Sequence, residues 1–364
     1  MKILFLVNHE VTLYYFRTEL LSALCERGDE VLLSMPRAEH AEFFERLGCK
    51  IIDTPITQYG MNPLKEAKLV SFYKRIIKKY SPDIVLTYTI KPALYGGIAA
   101  ASRSVPYIST ITGLGAAFEK GKLFSAFVAA CYRFSTRKIS CLFLQNEEHS
   151  RLFEKMRIAK GKHRVVSGSG VNLEKHPFEE YPETDGTRLL FIGRMMRAKG
   201  IFELCEAVEE LSKRFDVTLD IIGWCEAECE ELKNSFSPSS PVRYLGWKED
   251  VHSFVKNCHA VVLPSYHEGM ANVLLEAQAG GRPVLASNIP GCRETFEEGV
   301  TGFGFEVRNE ESLRSAIERF CLLKNDERAK MGKAARKKVE RDFDRRNVVK
   351  AYLEAISEFG RKSE

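Results

Sequence analysis

The chain has 364 residues, of which 45% are hydrophobic and 28% charged, a balance typical of folded globular proteins. This composition excludes a disordered, collagen-like or disulfide-framework chain, and the length predicts two domains of similar size. The net charge of +5 is unevenly distributed, because residues 1–170 carry +10 and the remainder carries −5. Residues 61–140 alone hold 13 basic and 3 acidic residues, which indicates an anionic partner for the first half.

Short strand-like runs alternate with helical patterns along the whole chain, and this alternation predicts α/β domains with parallel sheets. The strands predicted in the first half are 3–7, 30–34, 83–88, 107–111, 141–145 and 164–167. The strands predicted in the second half are 188–193, 219–223, 260–264 and 283–287. The clearest helical patterns lie at 16–27, 69–79, 202–211, 273–279 and 348–359.

The domain boundaries are predicted from a change of pattern near the middle of the chain. Residues 171–187 contain prolines and acidic residues but no apolar periodicity, and they predict a linker between domains at 1–170 and 188–344. Met1 leads directly into a strand-like run, and no 18-residue apolar stretch occurs. We therefore expect a cytoplasmic protein without a secretion signal or a transmembrane helix.

Two cations follow the first predicted strand of the second half. That strand ends at Gly193, and Arg194 and Lys199 lie between it and the next predicted helix. Cations at the transition from strand to helix suit a diphosphate, because a helix N-terminus also favours negative charge. Taken alone, the two residues are equally consistent with solvated surface charges.

A second segment with an unusual combination of groups follows the strand at 260–264. Gly269 and Ala271 are small, so backbone N–H groups at the start of the next helix can approach an anion closely. Glu268 and Glu276 add two carboxylates, which are favourable beside a phosphate only when they accept hydrogen bonds. Sugar hydroxyls donate such bonds. Cations, amides and carboxylates together therefore indicate a sugar nucleotide as ligand.

With these residues the chain resembles the retaining GT-B glycosyltransferases of glycosyltransferase family 4 over its whole length. The resemblance implies two Rossmann-like doubly wound domains that face each other across a cleft, and a C-terminal helix at 345–364 that packs back on the first domain. It rests on Gly193-Arg194 with Lys199-Gly200, on the E-x7-E spacing from Glu268 to Glu276, on Tyr244-Leu245-Gly246 and on Gly280-Gly281-Arg282-Pro283-Val284.

The resemblance also implies roles for individual residues. Arg194 and Lys199 would bind the donor diphosphate and neutralise the leaving group, Glu268 would contact the donor sugar, and Glu276 would hold the ribose of a donor expected to be a UDP-sugar. The remaining donor-binding positions would be Gly193, Gly223, Leu245, Gly269, Met270, Ala271 and Asn272. No metal or other cofactor is expected, and the one D-x-D sequence, Asp342-Phe343-Asp344, is interpreted as a surface helix cap.

The first domain departs from the family pattern at one position. Thr112 stands where many members carry a histidine, and the sequence Thr112-Gly113-Leu114-Gly115 is similar to members that extend undecaprenyl-diphosphate-linked saccharides, among them N-acetylgalactosaminyltransferases. A lipid-linked saccharide acceptor in bacterial surface polysaccharide or glycan synthesis is therefore expected. His9 and Arg17 are further acceptor-side candidates, although His9 also fits an ordinary loop histidine and Arg17 a helix-surface residue.

Basic residues bracket an apolar helical stretch at 123–130 in the first domain. Such a stretch predicts a helix that rests on anionic lipid, which would place the protein peripherally on the inner face of the cytoplasmic membrane. A buried crossover helix is the alternative. Nucleic acid is not expected as a partner, because no RNA-binding signature accompanies the charge. The bracketing residues are Lys120, Lys122, Arg133, Arg137 and Lys138.

Three other functions remain open from the sequence. The first is the same transfer to a soluble acceptor. The second is a UDP-sugar epimerase on a GT-B-like fold, which would need catalytic groups from both domains. The third is a non-catalytic nucleotide-sugar binding protein, which the presence of all four charged donor-site residues disfavours.

Overall fold

The computed structural model describes residues 1–56, 62–113 and 121–361, which divide into two compact units. The first unit contains Met1–Ser169 and Arg346–Glu364, and the second contains Gly170–Arg345. Each unit is one parallel sheet covered by helices. The predicted α/β class with two Rossmann-like domains is confirmed.

The sheet of the first unit has seven parallel strands in the order β3-β2-β1-β4-β5-β6-β7. Five of its strands are largely buried apolar runs, which explains why they are visible in the sequence. Residue Ile3 of β1 lies opposite Val31 of β2 and Ile84 of β4. The strands are β1 (Lys2–Leu6), β2 (Glu30–Met35), β3 (Lys50–Asp53), β4 (Ile84–Tyr88), β5 (Tyr107–Ile111), β6 (Cys141–Leu144) and β7 (His163–Val165).

Helices connect these strands and carry apolar faces that pack on the sheet. The longest helix begins after Asn62, whose side chain accepts hydrogen bonds from the first-turn amides, and it has Pro63 as its first residue. The helices are α1 (Val11–Phe16), α2 (Thr18–Glu26), α3 (Ala41–Arg46), α4 (Pro63–Tyr80), α5 (Gly97–Ser102), α6 (Lys122–Ser135) and α7 (Glu147–Lys155), with a π-helical turn at Pro92–Gly96.

The second unit has six parallel strands in the order β10-β9-β8-β11-β12-β13. The strands are β8 (Thr187–Ile192), β9 (Val217–Ile222), β10 (Val242–Tyr244), β11 (Ala260–Leu263), β12 (Val284–Ser287) and β13 (Gly302–Phe305). The helices are α8 (Ile201–Leu211), α9 (Glu230–Ser235), α10 (His252–Asn257), α11 (Asn272–Ala279), α12 (Glu310–Cys321) and α13 (Asn325–Asp342).

The last helix, α14 (Arg345–Phe359), packs on the first unit. Its residues Val348, Tyr352 and Ile356 are buried in the same cluster as the side chains of β1 and β2. The hydroxyl of Tyr352 lies 2.7 Å from the Thr110 hydroxyl oxygen at the end of β5. The C-terminal segment is therefore part of the first unit's core.

Three strands were not predicted from the sequence, namely β3, β10 and β13. Strands β3 and β10 have only four and three residues, and β13 alternates glycine with phenylalanine. Short runs and glycines give a weak strand signal. The predicted helix at 16–27 was also wrong at its start, because Arg17 has φ −137° and separates α1 from α2.

Residues 171–187, predicted as a linker, lie within the second unit, and Arg282 is one of the side chains that hold them there. This arginine is fully buried, and its guanidinium donates hydrogen bonds to backbone carbonyl oxygens at distances of 2.6 to 2.9 Å. The buried cation is balanced by carbonyl dipoles, so its removal would leave several acceptors without a donor. The carbonyls belong to Glu179, Glu180, Val255, Lys256 and Gly280.

None of the helices in the part of the chain that the structure describes is long and apolar enough to cross a membrane.

The Arg282 network predicts a large loss of stability in one unit. We expect Arg282→Met to lower the free energy of unfolding by about 3 kcal/mol or more, because buried carbonyls lose their donors. Both tryptophans of the chain, Trp224 and Trp247, lie in the second unit, so urea unfolding followed by tryptophan fluorescence measures this effect.

The matched control is Arg243→Met, which removes an exposed pair with Asp220 at 2.7 Å. An exposed pair contributes no more than about 1 kcal/mol. Equal losses in the two variants would contradict the structural role assigned to Arg282.

Candidate functional site

The donor-site residues predicted from sequence gather at one edge of the second sheet. Gly193 follows β8, Gly223 follows β9, Leu245 follows β10, and the segment that begins at Glu268 lies between β11 and α11. Because β10, β9, β8 and β11 are consecutive neighbours and parallel, their carboxyl ends lie side by side. Ligands of doubly wound sheets bind at this edge.

Two backbone contacts hold the turn after β8 against the segment after β11. The amide of Tyr266 donates to the carbonyl oxygen of Ala198 at 2.9 Å. Gly200 has φ +66°, and a Cβ atom there would lie 2.9 Å from the Cβ of Pro264. Only glycine permits this approach, so the turn places Lys199 beside the second segment.

The closest charged contact of the site is an ion pair between Lys199 Nζ and the Glu268 carboxylate. Their side chains are only 23% and 15% exposed, so water screens this pair weakly. Arg194 forms a second pair with Glu226 at 3.2 Å, in which both side chains are about half exposed. The two predicted diphosphate-binding cations thus differ, and Lys199 is the one held in a partly buried position.

The backbone at the start of α11 corrects the predicted amide cradle. The amide of Ala271 donates to the carbonyl oxygen of Gly291 at 2.8 Å, and the amide of Asn272 donates to the carbonyl oxygen of Met270 at 3.0 Å. Ala271 therefore does not offer its N–H to a ligand. The Met270 amide has no hydrogen-bond partner among the described residues, and the Asn272 Oδ1 atom is buried without one.

The position of Gly291 explains this arrangement. Gly291 has φ +84°, and a Cβ there would lie 2.6 Å from the carbonyl oxygen of Gly269. The loop after β12 therefore lies directly on the loop after β11. The carbonyl oxygen of Gly291 accepts the Ala271 amide, which the sequence indicates for a phosphate. The sequence gives no local signal for this contact, because the two residues are 20 positions apart.

Glu276 lies on α11 and is partly buried. Burial raises the pKa of its carboxyl group to about 7, although the positive charge of Arg345 acts in the opposite direction. This carboxyl group therefore loses its proton near neutral pH rather than near pH 4.5. A hydrogen-bond donor such as a hydroxyl would favour its ionised form.

Sequence reasoning missed an aromatic pair at the same edge. Trp224 follows Gly223 after β9, and Trp247 follows Gly246 after β10; their rings stack with centroids 5.6 Å apart and planes 24° apart. Both rings are largely exposed, at 63% and 48%. A Gly-Trp sequence after each of two strands was the available signal.

The acceptor-side candidates occupy different environments in the first unit. His9 follows β1 and accepts a hydrogen bond from the Val11 amide at 3.2 Å, while Thr112 and Gly113 follow β5 at the same sheet edge. The alternative that placed Arg17 on a helix surface is wrong, because this residue is buried between the rings of Tyr88 and Tyr352. Leu114, Gly115 and Lys120 lie outside the described residues.

Two family models match the chain. The one described as "Glycosyl transferases group 1" matches residues 173–338, and the one described as "Glycosyl transferase 4-like" matches residues 2–146. A capsular polysaccharide biosynthesis glycosyltransferase of Staphylococcus aureus, CapM, is 30% identical over 83% of this chain and 85% of its own length. The chain belongs to the glycosyltransferase family.

Two further proteins are similar to this glycosyltransferase over nearly its whole length. One is the N,N'-diacetylbacillosaminyl-diphospho-undecaprenol α-1,3-N-acetylgalactosaminyltransferase of Campylobacter jejuni, 26% identical over 97% of each chain. The other is a crystal structure of Anabaena HepE in complex with UDP, which superimposes with a TM-score of 0.80 at 18% identity over 98% of this chain and 100% of that one. The second likeness shows the GT-B fold.

The D-x-D sequence of this glycosyltransferase lies between α13 and α14. Asp342 ends α13 and pairs with Lys338 at 3.1 Å and with Arg341 at 2.7 Å. Asp344 directly precedes α14 and is buried, so its predicted place on the surface was wrong.

The raised pKa of Glu276 predicts a pH-dependent effect on stability. Since the pKa is higher in the folded state than the usual value of 4.5, ionisation disfavours folding. The contribution of Glu276 is fully favourable below pH 4.5 and is lost as the pH rises through about 7. Glu276→Gln has no carboxyl group to ionise at this position and so does not lose this stability. The free energy of unfolding of the variant relative to wild type should therefore rise from about pH 5 to about pH 8.

Urea unfolding of both proteins at the two pH values measures the difference. Glu268→Gln, at the other end of the same motif, is the control variant. A Glu276→Gln difference that stays constant with pH would contradict the assigned pKa.

Proposed function

We propose that this glycosyltransferase moves a hexose or N-acetylhexosamine from a UDP-sugar to an undecaprenyl-diphosphate-linked saccharide, with retention of configuration. The observation that carries the proposal is the Lys199–Glu268 ion pair, which lies at the same carboxyl edge of the second sheet as Arg194. It combines a cation for the diphosphate with a carboxylate for sugar hydroxyls.

The ion pair suggests how donor binding organises the site. A diphosphate carries more negative charge than one carboxylate, so it would draw the Lys199 ammonium toward itself. Glu268 would then be available to accept hydrogen bonds from hydroxyls of the donor sugar. Arg194, paired only at an exposed position, can turn toward the same diphosphate at little energetic cost.

The nucleoside end of the donor is proposed to lie at the tryptophan pair. Along the sheet edge, Trp247 and Trp224 follow β10 and β9, the cations follow β8, and Glu268 follows β11. This order of aromatic, cationic and acidic groups corresponds to base, diphosphate and sugar. The UDP bound in the HepE structure supports a uridine donor, and Glu276 would accept hydrogen bonds from the ribose.

The proposed chemical step needs charge stabilisation more than a protein base. The bond between the anomeric carbon and the diphosphate oxygen breaks, and the acceptor hydroxyl oxygen bonds to the same face of that carbon. The acceptor proton passes to the departing diphosphate oxygen. We propose that Arg194 and Lys199 neutralise the charge on this oxygen, in place of a metal ion.

The acceptor is inferred from relatives and from charge. The Campylobacter jejuni relative is named for an undecaprenyl-diphosphate-linked acceptor, and CapM for capsular polysaccharide biosynthesis. Residues 1–170 carry a net charge of +10, which would attract an anionic lipid-linked acceptor. Synthesis of a surface polysaccharide or glycan is the process we propose.

We also propose that α6 rests on the inner face of the cytoplasmic membrane. Leu123 is 91% exposed and Phe127 59% exposed on this helix, and Phe134 lies on the same side with the Arg137 guanidinium 4.4 Å from its ring centroid. An apolar stripe with arginines at its end fits an anionic lipid surface. The buried alternative for this helix does not fit these exposures.

The donor assignment predicts a selective loss of turnover. Lys199→Ala and Arg194→Ala should each reduce kcat by at least about a hundredfold, because the leaving group loses its counter-charge. Arg197→Ala is the matched control and should retain wild-type turnover, since its guanidinium packs on the Phe202 ring at 4.4 Å. UDP release from a panel of UDP-sugars with a lipid-linked acceptor measures the effect, with and without EDTA.

Near wild-type kcat in Lys199→Ala would overturn the assignment. Interconversion of the sugar nucleotides without any acceptor would instead support the epimerase, and efficient transfer to a soluble saccharide alone would remove the lipid-linked acceptor.

The membrane assignment predicts binding to anionic vesicles. The full chain should float with phosphatidylglycerol vesicles at low salt, and Leu123→Asp with Phe127→Asp should reduce the bound fraction several-fold. Val300→Asp, at an exposed apolar residue of the second unit, should float like wild type. Flotation of the double variant at the wild-type level would contradict the role of α6.

A further inference from the structure

The first unit contains a cavity of about 900 Å³ that the donor site does not use. It lies where residues Thr54–Ile56 leave β3 and runs along α4 from Leu64 to Arg75, with Lys91 at its wall beyond the end of β4. We refer to this cavity as the α4 groove. It therefore opens at the carboxyl edge of the first sheet, where ligands of doubly wound domains bind.

The α4 groove has an apolar floor. Ile56, Leu69 and Phe72 contribute to its lining, and Leu64 at its mouth is 76% exposed. A volume of this size is at the upper end of the roughly 300 to 1,000 Å³ found for pockets that hold small ligands. An exposed leucine at the mouth of an apolar cavity indicates a ligand with a hydrocarbon portion.

The same groove carries an excess of positive charge. The one acidic residue among its described lining residues, Glu66, is neutralised by Lys91 at 2.9 Å, and both side chains are only 11% exposed. Lys65, Lys68 and Arg75 also line the groove, and none of these three has a carboxylate within 4 Å among the described residues. Their charge is therefore available to an anion.

The spacing on α4 brings the three cations to one side of the groove. Lys65, Lys68 and Arg75 stand at positions i, i+3 and i+10 of one helix, which places them on a common face. Phe72 lies one turn before Arg75, with the guanidinium 5.4 Å from its ring centroid. Hydrocarbon and cationic surfaces thus adjoin each other along the helix.

We propose that the α4 groove binds the prenyl-diphosphate portion of the lipid-linked acceptor. The diphosphate would lie against Lys65, Lys68 and Arg75, and the first isoprenoid units would lie on the apolar floor. This inference rests on the proposed function, since it names the part of the acceptor that the first unit recognises. A prenyl diphosphate satisfies both surfaces, whereas a free phosphate would leave the apolar floor unused.

Titration calorimetry of the full chain with farnesyl diphosphate tests the proposal. Lys68→Ala with Arg75→Ala should weaken binding at least about tenfold, through loss of two charge-assisted contacts. Lys78→Ala with Lys79→Ala is the matched control, because these exposed lysines lie on α4 outside the groove. The control variant should bind like wild type.

The apolar contribution is tested separately. Leu64→Ser should weaken the binding of farnesyl diphosphate but leave that of inorganic pyrophosphate unchanged. Because Leu64 is exposed, the substitution should not disturb the fold. Farnesol should bind more weakly than farnesyl diphosphate. Equal affinity for pyrophosphate and farnesyl diphosphate would show a simple anion site and overturn the proposal.

Two further results would also overturn it. One is the absence of farnesyl diphosphate binding, and the other is equal competition by dioctanoyl phosphatidylglycerol, which would indicate a general lipid groove. A UDP titration of the same samples separates this proposal from the proposed function. Intact UDP binding without farnesyl diphosphate binding rejects only the groove, whereas a lack of UDP binding in wild type rejects the transferase itself.

Discussion

The ion pair between Lys199 and Glu268 is the interaction on which the donor site depends. The two residues are 69 positions apart in the chain and meet because β8 and β11 are neighbours in the centre of the second sheet. Gly200 makes the contact possible by allowing the turn after β8 to approach Pro264 closely. A partly buried salt bridge of this kind is a weak source of stability but a good device for holding two charges in place. Its function is therefore better explained by an anionic ligand than by folding.

Most of the fold could be predicted from the sequence, because buried parallel strands are continuous aliphatic runs. The central strands β1, β4, β8 and β11 are such runs. The edge strands β3, β10 and β13 could not be predicted, since β3 and β10 are short runs that contain charged, exposed residues, and β13 alternates glycine with phenylalanine. Segment 171–187 also looked like a linker, because its attachment depends on side chains that are distant in the sequence, such as Arg282, Arg328 and Arg336.

The charged residues of the candidate site could be predicted from the sequence, but the contacts around them could not. Arg194, Lys199, Glu268 and Glu276 were found from strand ends and spacing, and the structure places all four around one sheet edge or on the helix that follows it. Residue patterns do not show which backbone amide is already hydrogen-bonded. The Ala271 amide was therefore assigned to a ligand, although it donates to the carbonyl oxygen of Gly291. The stacking of the two tryptophans was missed for the same reason, since it joins the ends of two separate strands.

In the proposed function, the two units divide the recognition of donor and acceptor according to charge. The second unit has a net negative sequence and uses a few positioned cations, whereas the first has its excess of lysine and arginine around an apolar groove and an exposed helix. The central claim is that the Lys199–Glu268 edge binds a nucleoside diphosphate, and a UDP titration followed by tryptophan fluorescence tests it most directly. We expect a saturable change in wild type, because both tryptophans lie at that edge, and no comparable change in Lys199→Ala. An unchanged fluorescence in wild type, or an equal response in the variant, would contradict it.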